Sequence, residues 1–143
     1  MTKRSNYERN FVQSKAKQTN NAQWVEGYFF KDGERNCYIQ QGDTGLYYLV
    51  NPVTVCEFTG FYDTSVRKIF ESDILRVWHS EKPEDFTDFL VYFCEPTGSR
   101  VAVSLNSKLE VYDLFKLTLA VRYEVVDNAY DNMEKISEVM LNA

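Results

Sequence analysis

The sequence predicts a mainly β protein, a β-rich α+β chain, and three observations carry that expectation. There are 10 Tyr, 10 Phe and 2 Trp in 143 residues, and aromatic rings pack well across the pleated face of a sheet. Apolar residues recur mostly with a period of two, and turn-forming clusters separate them at hairpin spacing. The content of 44% hydrophobic and 26% charged residues is that of an ordinary globular domain, long enough to bury about two-thirds of its unfolded surface without disulfides or metals.

The elements follow in order. Residues 1–23 are read as a basic arm and polar linker, and residues 24–143 as one β-rich domain. In the arm, Ser5-x-x-Glu8 has capping-box spacing ahead of Phe11 and Val12, and Tyr7 and Phe11 lie one helical turn apart, so a short helix is expected from Asn6 to about Lys17. Trp24 to Phe30 alternates as a strand, and Lys31-Asp32-Gly33 turns it back. A strand from Asn36 to Gln40 follows. Gly42 to Gly45 then turns the chain into Leu46 to Val50, apolar throughout and therefore expected to be covered on both faces.

Asn51-Pro52 opens two extended segments that break at Thr59-Gly60. Ile74 to His79, Thr87 to Cys94 and Arg100 to Leu105 are the next strands, separated by the charged loop Ser80 to Phe86 and the turn Pro96 to Ser99. They form a meander able to close a small barrel, SH3-like or partly open, and the Glu71-x-Asp73 turn before Ile74 is similar to the turn that enters a strand in many SH3-like barrels. Ser107 to Leu117 fits neither period and is read as a short helix. Leu119 to Val126 alternates as a strand, and Asp131 to Glu134 has the spacing of a cap for a C-terminal helix whose Met133, Ile136 and Met140 share a face.

One stretch carries a family resemblance. Val50, Pro52, Thr54, Val55, Phe58, Thr59, Gly60, Asp63, Lys68, Ile69, Phe70, Glu71, Asp73 and Ile74 stand at the spacing of a YopX-family segment. Trp24-Val25-Glu26-Gly27-Tyr28 and the closing block Tyr123 to Asn132 are similar to two further family elements, so the resemblance frames residues 24–132. It implies a phage or prophage protein with no settled activity. Where that family favours glycine this chain has Cys56, Val66, Ser72 and Asp127. A left-handed backbone is costly for a β-branched side chain, so the turn at Ser65-Val66 is expected to avoid a positive φ.

Charge is unevenly placed. Residues 1–20 hold Lys3, Arg4, Arg9, Lys15 and Lys17 against Glu8, a net of +4, so the other 123 residues carry −9 toward the overall −5. An acidic body repels phosphate, which disfavours nucleic-acid recognition by the folded part. The apolar runs are far shorter than the roughly 18 residues that span a bilayer, and a cytoplasmic protein without membrane contact is expected. Cys37, Cys56 and Cys94 form no C-x-x-C pair and have only His79 to join them, which suits reduced, mostly buried thiols better than a metal site.

Chemistry has few candidates. Asp63, Glu71 and Asp73 could converge to hold Mg²⁺ or to act as an acid and base pair. Asp63 and Asp73 also stand where turns want a carboxylate on backbone amides, with Glu71 facing solvent or pairing with Arg67 or Lys68. No nucleophile elbow or phosphate-binding loop occurs, and neither a catalytic residue nor a cofactor is expected. Trp24, Tyr28, Tyr47, Tyr48, Phe61, Tyr62 and Trp78 are more rings than a small core must take. Trp24 and Trp78 are assigned to the core, and Phe61 and Tyr62 to an exposed contact turn. The preferred reading is a non-enzymatic, self-associating interaction module, a homo-oligomer or a binder of a phage or host protein. The alternative is single-stranded nucleic-acid binding through the aromatics and through Arg4, Arg9, Lys15 and Lys17.

Overall fold

The computed structural model describes residues 12–106 and 110–134. The chain divides into two compact units, residues 1–58 and 59–143. Each is built on antiparallel strands around its own apolar core, and the sheets are not closed into a barrel. The mainly β class holds, while the small barrel, SH3-like or partly open, is corrected to two antiparallel sheets that do not close into a barrel.

In the first unit, β1 (Gln13–Lys17), β2 (Trp24–Lys31), β3 (Cys37–Gln40) and β4 (Tyr47–Leu49) lie in the order β4-β3-β2-β1. The helix expected up to Lys17 is therefore a strand over its described part. Its alternating pattern decides the matter: Ser14 and Ala16 are buried between half-buried neighbours, a period of two that no helix face supplies. The first residues of β5 (Cys56–Tyr62) pair with the other edge of β1, Ser14 opposite Glu57 and Lys15 opposite Cys56. Ala16, Val25, Cys37, Ile39 and Val50 form the core. Complete burial of Ile39 is worth about 1.5–3 kcal/mol. A Cβ on Gly27 would stand 2.1 Å from the Gln40 carbonyl oxygen, so this glycine is what lets β3 cross β2 so closely.

In the second unit, the last residues of β5 pair with β6 (Lys68–Phe70). Gly60, at φ +87°, lies within β5. There the Thr59 hydroxyl donates to the Ile69 carbonyl at 2.6 Å and accepts from Phe61 N–H at 3.2 Å. The predicted meander is present as β7 (Asp73–Trp78), β8 (Phe86–Cys94) and β9 (Ser99–Ser104), flanked by β10 (Val111–Asp113) and β11 (Tyr123–Asn128) in the order β10-β9-β8-β7-β11. Ile69, Leu75, Val77, Phe89, Val91, Ala102, Leu114 and Leu117 make its core. Arg76 and Asp88 face each other across β7 and β8 in a two-pronged pair, at 2.8 and 3.0 Å.

The ambiguous segment resolves into β10 and a one-turn helix α1 (Leu114–Leu117) capped by Asp113; residues 107–109 lie outside the described part. The strand expected from Leu119 begins only at Tyr123, because Leu119 and Val121 are 70% and 97% exposed and bury nothing on either face. The C-terminal helix falls outside the described residues beyond Glu134, although Met133 and Glu134 are helical.

The turn expectation is overturned. Val66 has φ +63° and Ser72 φ +72°, so both keep the left-handed backbone that glycine supplies elsewhere in the family. Asp63 explains why Val66 tolerates it. One of its carboxylate oxygens accepts from Ser65 N–H (2.9 Å) and Arg67 N–H (2.8 Å), and the other from Val125 N–H (3.0 Å), so the turn is held from within. Cys56 and Asp127 are not in the left-handed region.

Candidate interaction surface

Strand alternation divides the side chains of the first unit between its core and an outer face. Trp24, Tyr28 and Phe30 of β2 share that face, and register brings Tyr38 opposite Phe30, Gln40 opposite Tyr28, Leu49 opposite Tyr38 and Tyr47 opposite Gln40. The rings touch one another. Phe30 stacks on Tyr38 with centroids 5.3 Å apart and meets Tyr47 edge-on at 5.2 Å. Tyr47 is 62% exposed, and Leu49, on the same face, is 46% exposed. An apolar patch of several adjacent side chains costs solubility and marks a place where something docks.

β4 was expected to be covered on both faces. It is an edge strand instead, because its apolar run is short and only Tyr48 and Val50 turn toward the core. At the far end of the same face, Lys15 and Lys17 of β1 extend their ammonium groups over the Trp24 ring at 4.9 and 5.4 Å. Below the ring cluster, the Tyr38 hydroxyl donates to Asp32 at 3.3 Å. Burial pushes the Asp32 carboxyl up, but hydrogen bonds from Asn36, Glu34 and Tyr38 hold it below the ordinary carboxylate value.

The residues singled out from sequence are dispersed. Phe61 is half-buried against the core of the second unit and 6.4 Å from the Phe115 ring, whereas Tyr62 is 47% exposed. Arg4 and Arg9 lie outside the described residues. Trp24 and Trp78 are half-buried rather than core. Cys37 and Cys56 are buried and Cys94 is half-buried, all as free thiols. Phe30, Tyr38 and Leu49 were missed, although the alternation that placed Trp24 and Tyr28 together also placed Phe30 with them.

The three carboxylates serve three separate purposes. Asp63 closes its turn, and Arg67 Nε lies 3.3 Å from it. Asp73, fully buried, accepts from Phe70 N–H at 2.8 Å and from the Asn128 amide at 2.9 Å, tying the start of β7 to the end of β11. Glu71 pairs with Arg100 at 3.1 Å, a partner that the sequence reading did not name. Among the described residues no three His, Cys, Asp or Glu side chains gather where they could hold a metal ion.

All three carboxylates lie in the segment that carries the resemblance, and the family model described as YopX protein matches residues 2–137. The chain belongs to the YopX family. Among curated proteins none matches it. In this YopX-family chain the motif residues Thr59, Gly60, Asp63 and Asp73 build turns and bulges, and Gly27 of the Trp24–Tyr28 block lets two strands meet. The aromatic face lies outside the long motif segment.

A concavity of about 650 Å³ lies in the second unit between Trp78–Glu81 and Leu119–Arg122. Three of its polar side chains are engaged: Arg122 covers the Trp78 ring at 3.8 Å and bonds Glu124 at 3.2 Å, Trp78 Nε1 donates to the Pro83 carbonyl, and His79 bonds Thr87 at 2.7 Å. Among the described residues no helix is long and apolar enough to cross a membrane.

Proposed function

We propose that this YopX-family chain is a non-enzymatic interaction module of phage or prophage origin, acting in the host cytoplasm and binding through the outer aromatic face of its first unit. The observation that carries this reading is the joined cluster of Phe30, Tyr38 and Tyr47, bordered by exposed Leu49. Rigid aromatic rings give large contact area at little cost in side-chain freedom, which is why they anchor interfaces. The partner is a further copy of the chain or a phage or host protein. Sedimentation equilibrium of the full chain from micromolar to its highest soluble concentration is the test. Association is expected in the wild type and strong weakening in Leu49→Glu, at unchanged thermal midpoint. Association that Leu49→Glu leaves intact would overturn the reading.

A second reading has one observation in its favour. Lys15 and Lys17 beside Trp24 are the pairing of cation and ring that single-stranded nucleic-acid platforms use. Against it, the lysines lie over the ring a base would stack on, and the body is acidic. Because Gln13–Lys17 is a strand of the sheet, the arm cannot be deleted to test this without loss of fold, so point variants are needed. Retention on single-stranded DNA that falls steeply with salt and disappears in Lys15→Glu/Lys17→Glu would favour this reading over the first.

A further inference from the structure

This inference rests on the interaction reading above and fixes its partner. In the β3–β4 ladder, Gln41 N–H donates to Leu46 C=O at 3.0 Å and Val50 N–H to Cys37 C=O at 2.9 Å. With Ile39 opposite Tyr48, residues 46, 48 and 50 turn their backbone groups toward β3, and Tyr47 and Leu49 turn theirs outward. The far end of this edge is already covered by the same chain: Val50 bridges antiparallel to Gln18, the Leu49 carbonyl accepts from Thr19 N–H at 3.1 Å and Oγ1 at 3.0 Å, and Asn51 N–H donates to the Lys17 carbonyl at 2.9 Å. The outward N–H and C=O of Tyr47 take no hydrogen bond among the described residues, and β4 ends its sheet.

Edge strands are ordinarily blunted by lysine, proline or an inward charge. This one is not. Residues 44–50, Thr-Gly-Leu-Tyr-Tyr-Leu-Val, carry no charge at all. That neutrality selects the occupant. In a chain of net charge −5 two copies already repel, and about a two-fold axis every residue near the axis faces its own duplicate, so a charge there would always meet its like and add to that repulsion. A different partner would impose no such condition.

We propose that β4 pairs antiparallel with β4 of a second copy about a two-fold axis passing near Tyr47. Each Tyr47 N–H donates to the other copy's Tyr47 C=O, the two sheets become continuous, and the Phe30–Tyr38–Tyr47 clusters come side by side across the junction. Thr19 on the Leu49 carbonyl limits the pairing to the stretch around Tyr47, so the rings rather than a long ladder supply most of the contact.

The self-facing geometry gives a direct test by sedimentation equilibrium and native mass spectrometry of full-length variants. Tyr47 is exposed, so Tyr47→Lys and Tyr47→Glu are expected to fold and each alone to be monomeric, while their equimolar mixture forms a mixed dimer and Tyr47→Phe associates like the wild type. Charged single variants that associate as the wild type does would overturn the proposal. A mixture that stays monomeric, with association in the wild type still abolished by Leu49→Glu, would also overturn it while leaving the aromatic face as an interface. A wild type that is monomeric at every concentration would remove both readings.

Discussion

Val66 is the residue at which steric expectation and fold part company. Its left-handed backbone, at φ +63°, costs on the order of 1–2 kcal/mol for a side chain branched at Cβ, yet Asp63 binds the amides on either side and holds the turn. Because Val66 is 77% exposed, no packing offsets that strain, and Val66→Gly is expected to raise stability by about 1 kcal/mol in urea unfolding, part of the relief being lost to the freer unfolded chain. No change or a loss would show that the side chain has an unseen contact. Glu124 gives a prediction in pH. The Ser65 hydroxyl bonds it at 2.5 Å and Arg122 lies at 3.2 Å, and together, the Ser65 bond foremost, they hold its carboxyl below the ordinary value. A lowered folded pKa contributes stability that is present above the unfolded value of about 4.3 and is lost as pH falls through the folded one. Ser65→Ala should therefore destabilise at pH 7 and converge on the wild type in acid; parallel curves across that range would refute the assignment.

The elements show where sequence reasoning reaches and where it stops. Strands β2, β3, β7, β8 and β9 were legible because period-two alternation and Gly or Pro turns are local signals. β1 was not, since the Ser5-x-x-Glu8 pattern and the Tyr7 to Phe11 spacing imitate a helix start while Ser14 and Ala16 are small residues that only a neighbouring strand makes buried. The edge position of β4 was equally hidden: an apolar run reads the same whether or not another strand covers it, and only the pairing distinguishes the two. The aromatic face follows suit, because Tyr38 and Tyr47 join Phe30 through register, which the chain does not print. Gly27 is the element-scale test. With the Gln40 carbonyl 2.1 Å from any added Cβ, Gly27→Ala must push β3 from β2, and a loss of roughly 3 kcal/mol or more is expected by chemical denaturation, at or beyond the upper end of ordinary overpacking costs. A loss below about 1 kcal/mol would mean that the strands separate freely.

At the scale of the whole molecule, charge distinguishes the two readings. Copies of a chain of net charge −5 repel over a Debye length of about 8 Å at physiological salt, so added salt should tighten self-association through a neutral edge, whereas binding of a phosphate backbone would weaken. Light scattering across a salt series reads the sign, and association that dissolves with salt would point to an ionic contact elsewhere. The central claim, that the outer aromatic face of the first unit is the contact surface, is tested most directly by amide hydrogen exchange of the full chain at dilute and concentrated protein. The account predicts slowed exchange on concentration in peptides covering residues 24–31, 37–40 and 46–50, greatest at Tyr47. Slowing confined to other segments, with those three unchanged, would contradict it.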